Sequence, residues 1–425
     1  MGVLSIFELG TLLVALSAAF GWLNVRWLAL PHTIGLLIMG LGSSLILLLI
    51  QQLVPGVDIT MSLQSAIGQI DFYGTIMNGL LAFLLFAGAL HVDFDALKNE
   101  KWPIAFMATA GVVVSTIVVA GCLWWAAGLI GIDIPFAWAL VFGALISPTD
   151  PVAVLSLLKT VDVNESLKAK IAGESLFNDG VAVVAFSLLA AAAVATAGES
   201  EHPLSLAHIA ELFFHEGVGG ALFGLVMGWL AFRAMAAIDD HVIEVLISIA
   251  VCALTYALSL RLHVSGPIAV VVAGLLIGNQ GVEYAMSEKV RDYMFAFWEI
   301  VDEVLNSVLF LLIGLEVLVL TFDAAHIGLM AIAIPAVLVG RLVSVSSPLL
   351  LKPMRKSFGV GAIPVLTWGG LRGGVSVALA LSLPDSDYKP LLLAGTYAVV
   401  IFSIIVQGLT VKKLIARVMG PQEAA

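Results

Sequence analysis

The chain is a succession of apolar runs separated by short polar turns, each run about as long as a helix must be to cross ~30 Å of hydrocarbon. Thirteen such runs lie near residues 5–22, 28–50, 74–90, 104–128, 135–158, 170–196, 216–236, 243–262, 264–280, 300–320, 326–350, 360–382 and 390–415. Lipid offers no partner to a backbone N–H or C=O, so runs like these predict an all-α polytopic membrane protein of about 13 transmembrane helices. With 61% hydrophobic and 12% charged residues, a soluble domain is excluded. A formal net charge of −11 argues against nucleic acid as a partner. Cys122 and Cys252 sit inside apolar runs without metal-site spacing and read as small core residues. Phe7 to Trp22 has neither the basic start nor the small-residue cleavage site of a signal peptide, and reads as a retained first span. A single membrane domain is expected over 1–417, with 418–425 a short cytoplasmic tail.

Charge fixes the expected orientation. With the N-terminus outside, fifteen of the 19 Lys and Arg residues fall in inner loops. Arg261 and Lys389 fall outside, and Arg341 and Arg372 lie within spans. Between spans 8 and 9 only Arg261 to Val264 intervene.

Two spans are broken. Span 5 carries Pro148-Thr149-Asp150-Pro151, and span 12 carries the glycine run Gly369-Gly370-Leu371-Arg372-Gly373-Gly374. They are seven spans apart, so they cross the membrane in opposite directions. Discontinuous helices at matching places in two oppositely oriented halves point to an inverted-repeat secondary transporter. The repeats would be 5–196 and 243–415, with 216–236 as the linking span.

The polar residues within these spans carry the chemistry. Asp150, Glu174 and Asp179 would each cost roughly 2.5–3.5 kcal/mol if unpaired at the bilayer centre. The prolines free carbonyls near Ser147 and Thr149 to face a cation beside Asp150; alternatively they only kink the helix, and Asp150 caps its second half. In span 6, Ser175 and Asp179 share a face, as do Glu174 and Asn178, rotated by about 100° from the first pair. Ser175, Asn178 and Asp179 are expected ion-binding residues, or Ser175 and Asn178 only make a polar helix–helix contact. Oxygens without Cys or His suit small hard cations and argue against zinc or copper. Arg341, in the middle of span 11, needs a counter-charge, and Glu174 is the expected partner. Arg372 either binds carbonyls of its own split helix or pairs with an acid at a subunit or domain contact. Glu299, Asp302, Glu303 and Asn306 form either an inner vestibule or a solvated helix face. The histidines, His32 and His91 among them, read as surface residues. Pro203 to Gly217 reads as an outer loop with a short interfacial helix.

Taken together, SPTDP, GESLFNDG, FWEIVDEVLNSVLFLLIGLE, VGR and WGGLRGG resemble the electroneutral branch of the monovalent cation/proton antiporters, over nearly the whole chain. The resemblance implies two crossing broken helices and a site where Na+ (or Li+) and H+ compete for Asp179. Asp150, Thr149 and Ser175 would assist, and Glu174–Arg341 would be a structural pair. It implies a homodimer in the cell membrane, needing no cofactor and catalysing no covalent step. The cytosolic tail of animal members is not expected here. Asn178 stands before Asp179, where electrogenic relatives tend to carry a second acid, so one proton per sodium is expected. A K+/H+ antiporter of the same fold is the nearest alternative. An intramembrane aspartyl protease would want a G-x-G-D run, which the sequence lacks, and a channel would want rings of acids on a symmetric pore.

Overall fold

The computed structural model describes residues 6–53, 74, 76–150, 154, 164–195, 206–318, 324–359 and 361–419, and among these all regular structure is helical. The helices are α1 (Ile6–Leu23), α2 (His32–Leu53), α3 (Leu81–Leu90), α4 (Lys101–Leu129), α5 (Phe136–Leu145), α6 (Glu165–Val194) and α7 (Leu206–Met235). They continue as α8 (His241–Leu262), α9 (Gly266–Tyr284), α10 (Glu288–Glu316), α11 (Ala324–Ser346), the half-helices α12a (Ala362–Trp368) and α12b (Gly374–Leu381), and α13 (Lys389–Val418).

Each expected span has a helix, but several run further than their apolar core. α6 starts at Glu165 because Asn164 accepts a hydrogen bond from Ser166 N, and α10 starts at Glu288 because the Ser287 hydroxyl accepts from Val290 N. A hydropathy window stops where charge begins; a capped helix does not. For the same reason the expected outer loop and short helix over Pro203–Gly217 are replaced by one continuous helix from Leu206, while 203–205 lie outside the described residues. The cut between α8 and α9 is real. His263 takes a left-handed conformation (φ 54°) at the end of α8, and the Ser265 hydroxyl accepts from Ile268 N to open α9.

Among the described residues, nine helices are long and apolar enough to cross a membrane by that measure alone. Those that fall short are α3, α5, α10 and the split α12. They are short in their described part, broken, or charged; α3, α10 and α12b wall the same cavity, together with the Pro148–Asp150 segment that follows α5.

The helices pack as two bundles. α2 lies along α10, and α3, α8, α9 and α10 pack on one another with α7 against α9. In the second bundle α11 packs on α4, α13 and α12a, while α5 packs on α4 and α6. Thus α1–α3 group with α8–α10, and α4–α6 with α11–α13. A Cβ at Gly143 would sit 2.3 Å from the Thr116 carbonyl oxygen, so α5 meets α4 backbone to backbone. Glu100 clamps the end of the second bundle. It accepts from the Ser166 and Ser357 hydroxyls and lies 3.0 Å from Lys170 Nζ, joining α4, α6 and the segment before α12a. Burial pushes the Glu100 carboxyl up, but those hydrogen bonds and the Lys170 ammonium outweigh it and hold it below its usual value.

Candidate functional site

α5 stops at Leu145, Ser147 N still donates to Ala144 O, and Pro148 to Asp150 then run without helical hydrogen bonding, as the Pro148 break predicts. Pro151 itself lies outside the described residues. Opposite, α12a ends at Trp368 and α12b begins at Gly374, leaving Gly369–Gly373 between them. The two breaks meet. Asp150 N donates to Leu371 O at 2.8 Å, and a Cβ on Gly373 would fall 2.2 Å from Asp150 Oδ2. Only glycine allows that approach.

Charges match the helix ends at this crossing. Asp150 lies beside the N-terminal end of α12b, where exposed N–H groups favour an anion. Arg372 Nη1 donates to the Ser147 and Pro148 carbonyls, the latter at 2.9 Å, at the C-terminal end of α5. Of the two alternatives for Arg372, it is carbonyl binding that is seen, and the carbonyls are those of span 5 and not of its own span. The reason is reach, since the crossing puts the span 5 carbonyls next to its guanidinium, while its own backbone N–H donates to Ser403 Oγ at 3.0 Å.

Four predicted oxygens gather on α6 and the span 5 break. Thr149 Oγ1 lies 2.9 Å from Ser175 Oγ, and Thr149, Ser175, Asp150 and Asp179 all line one cavity of about 510 Å³. Asp179 is 6% exposed. Asn178 is fully buried and does not line the cavity. Its amide nitrogen donates to Thr149 Oγ1 at 2.8 Å and its oxygen accepts from Thr149 N at 3.4 Å, so it holds Thr149 in place. Glu174, on that same face of α6, meets Arg341 as expected. The pair is bidentate, with Nη1 on Oε1 and Nη2 2.9 Å from Oε2. Arg341 Nε also donates to Leu366 O at 3.1 Å, in the last turn of α12a. Both side chains are buried, so each charge satisfies the other away from the cavity.

Acids also line the cavity. Glu299, Asp302, Glu303 and Asn306 on α10 line it together with Asp93 and Glu165, while Glu299 and Glu303 are also exposed, so this face of α10 is both solvated and part of the cavity wall. His91 lines the same wall and its ring packs edge-on to Phe295 at 5.1 Å. His32 is exposed, and its ring nitrogen Nε2 lies 2.7 Å from Ser307 Oγ, joining α2 to α10. Both histidines are exposed, as expected at span ends, and each also touches a residue of α10. Sequence reading missed Ser376 on the first turn of α12b, which also lines the cavity. Its signal was the position just after the glycine break. Among the described residues no group of three His, Cys, Asp or Glu is arranged to hold a metal ion.

A model of the family described as sodium/hydrogen exchanger, transmembrane, matches residues 13–417. The chain belongs to that family. The exchanger is 44% identical over 414 residues to a Na(+)/H(+) antiporter NhaP of Pseudomonas aeruginosa, covering 96% of both chains. It is 36% identical to a Na(+)/H(+) antiporter NhaH of Halobacillus aidingensis, over 81% of this chain and 83% of that one. Its fold matches the solved sodium proton antiporter MjNhaP1 of Methanocaldococcus jannaschii, with TM-score 0.75, 18% identity and 98% of both chains covered.

Proposed function

We propose that this exchanger carries one Na+ (or Li+) against one H+ across the cell membrane, both loads competing for the Asp179 carboxylate. The observation that carries the reading is the convergence of Asp179, Asp150, Thr149 and Ser175 on one cavity inside the membrane bundle. Either load neutralises Asp179, which lowers the cost of moving the site past the apolar seam between the bundles; the empty anionic site pays the full desolvation penalty and stays put. Obligatory exchange follows.

Asp150 keeps its charge through the cycle, supported by its place at the N-terminal end of α12b. The site then has the same net charge with either load, and transport is electroneutral. Glu174–Arg341 is structural, Arg372 holds the crossing, and Asn178 positions Thr149. The bundle composition, α1–α3 with α8–α10 and α4–α6 with α11–α13, supports inverted repeats over 5–196 and 243–415 with 216–236 between them. The protein works as a homodimer with its N-terminus outside and its C-terminus in the cytoplasm.

Proteoliposomes holding a pH dye test this. Na+ and Li+ should move protons in the wild type, and Asp179→Asn should abolish the response while the protein stays folded. A K+ response equal to that for Na+ would favour the K+/H+ alternative. A potential of 100 mV is worth about 2.3 kcal/mol per uncompensated charge, which is large enough to see. With equal Na+ and pH on both sides, sustained proton flow that reverses with the sign of an imposed potential would sink the electroneutral reading.

A further inference from the structure

Several buried side-chain oxygens among the described residues meet no hydrogen-bond partner, those of Thr255, Glu316 and Tyr397 included. Among the described residues, Ser376 is the one member of this group that also lines the cavity with Asp150 and Asp179. Its side chain is fully buried. A buried hydroxyl left unpaired is destabilising, and most proteins avoid it.

The position is built as well as buried. Gly373 and Gly374, three and two residues before it, bring α12b against Asp150 and Leu309; a Cβ on Gly374 would lie 2.5 Å from Leu309 Cδ1. Ser376 therefore faces the cavity from the second half of the chain, while Thr149, Asp150, Ser175 and Asp179 face it from the first. Thr149 and Ser175 already bond to each other, and Thr149 also accepts from Asn178. The Ser376 oxygen has both lone pairs uncommitted.

We propose that Ser376 Oγ is a ligand of the transported cation, completing its oxygen set from the α12b side. This rests on the exchange reading given above. A neutral oxygen on a short side chain tightens the cage around a small hard cation, so Ser376 favours Na+ and Li+ over K+.

Alanine replacement gives opposite signs for a ligand and for a merely tolerated hydroxyl. Ser376→Ala removes an unsatisfied group, so the cation-free protein should melt at the same temperature or higher. If Ser376 is a ligand, the apparent KM for Na+ should rise about tenfold, with the maximal rate at saturating Na+ within about twofold, and the Na+-dependent rise in melting temperature should shrink. The Na+/K+ preference should fall in parallel. Thr255→Ala, which removes an unpaired buried hydroxyl that does not line the cavity, should leave the KM for Na+ unchanged. An unchanged KM and an unchanged Na+/K+ preference in Ser376→Ala, with an active wild type, would overturn this proposal alone. No Na+-driven exchange in the wild type would overturn the exchange reading and this proposal with it.

Discussion

Arg341 gives its guanidinium to acceptors on two helices, the Glu174 carboxylate on α6 and the Leu366 carbonyl at the end of α12a. Breaking a buried pair by removing one partner typically costs roughly 3–5 kcal/mol, because the other charge is left uncompensated. Glu174→Gln and Arg341→Gln should therefore each melt well below wild type. The double variant should recover part of the loss, but not all, since Leu366 O still lacks its donor. Strict additivity in that cycle, read from thermal unfolding in detergent, would mean that the pair contributes nothing as a pair. Glu100 makes a pH-dependent contribution. Its carboxyl is held below its ordinary value of 4.5, so the stability it adds is complete above that value and is lost as pH falls through the lower, folded-state value. Glu100→Gln should lower the melting temperature at pH 7, and the gap to wild type should close as pH drops below about 4.5. A constant gap across that range would show that the carboxylate charge is not what clamps α4 to α6.

At the level of helices, the crossing depends on the absence of side chains. With 2.2 Å from a Gly373 Cβ to Asp150 Oδ2, Gly373→Ala must push either α12b or Asp150 aside. Na+/H+ exchange should fall at least tenfold, while the melting temperature should move less than in Gly143→Ala, whose Cβ meets fixed backbone at Thr116. Near-normal exchange in Gly373→Ala would show that the breaks are looser than they look. Such contacts mark the boundary of what the sequence discloses. The thirteen helices, the two breaks, the Glu174–Arg341 pair and the oxygens of Thr149, Asp150, Ser175 and Asp179 were all legible, because lipid makes each polar group or irregular turn costly enough to stand out. Helix starts were not, since Ser287 and Asn164 extend α10 and α6 beyond their apolar stretches. Nor was the role of Arg372, because which carbonyls it reaches depends on how two distant segments cross. Asn178 looked like a site oxygen from its spacing, yet packing turns its amide to Thr149. Ser376 was hidden because a serine after a glycine run is ordinary in composition and becomes unusual only once its neighbours are known.

Across the whole molecule, the hydrogen bond from Asp150 N to Leu371 O and the two from Arg372 to the span 5 carbonyls tie the breaks to each other rather than to the facing bundle. The consequence is kinematic. Spans 5 and 12 are pinned where they cross, like the blades of a closed pair of scissors, so the site they build is expected to travel as one piece, sliding along seams such as that of α12b with α10. Two tethers separate the possibilities. Val154 Cγ1 would lie 3.6 Å from a Cβ on Gly369, so a cysteine pair at these positions bridges the two broken spans; Leu309 and Gly374 offer a pair across the seam. Oxidising the first pair should leave exchange above half of its reduced rate. Oxidising the second should stop it, with recovery on reduction. Should the first tether arrest transport as completely as the second, the blades must open in every cycle, and the pinned crossing is a latch rather than a pivot.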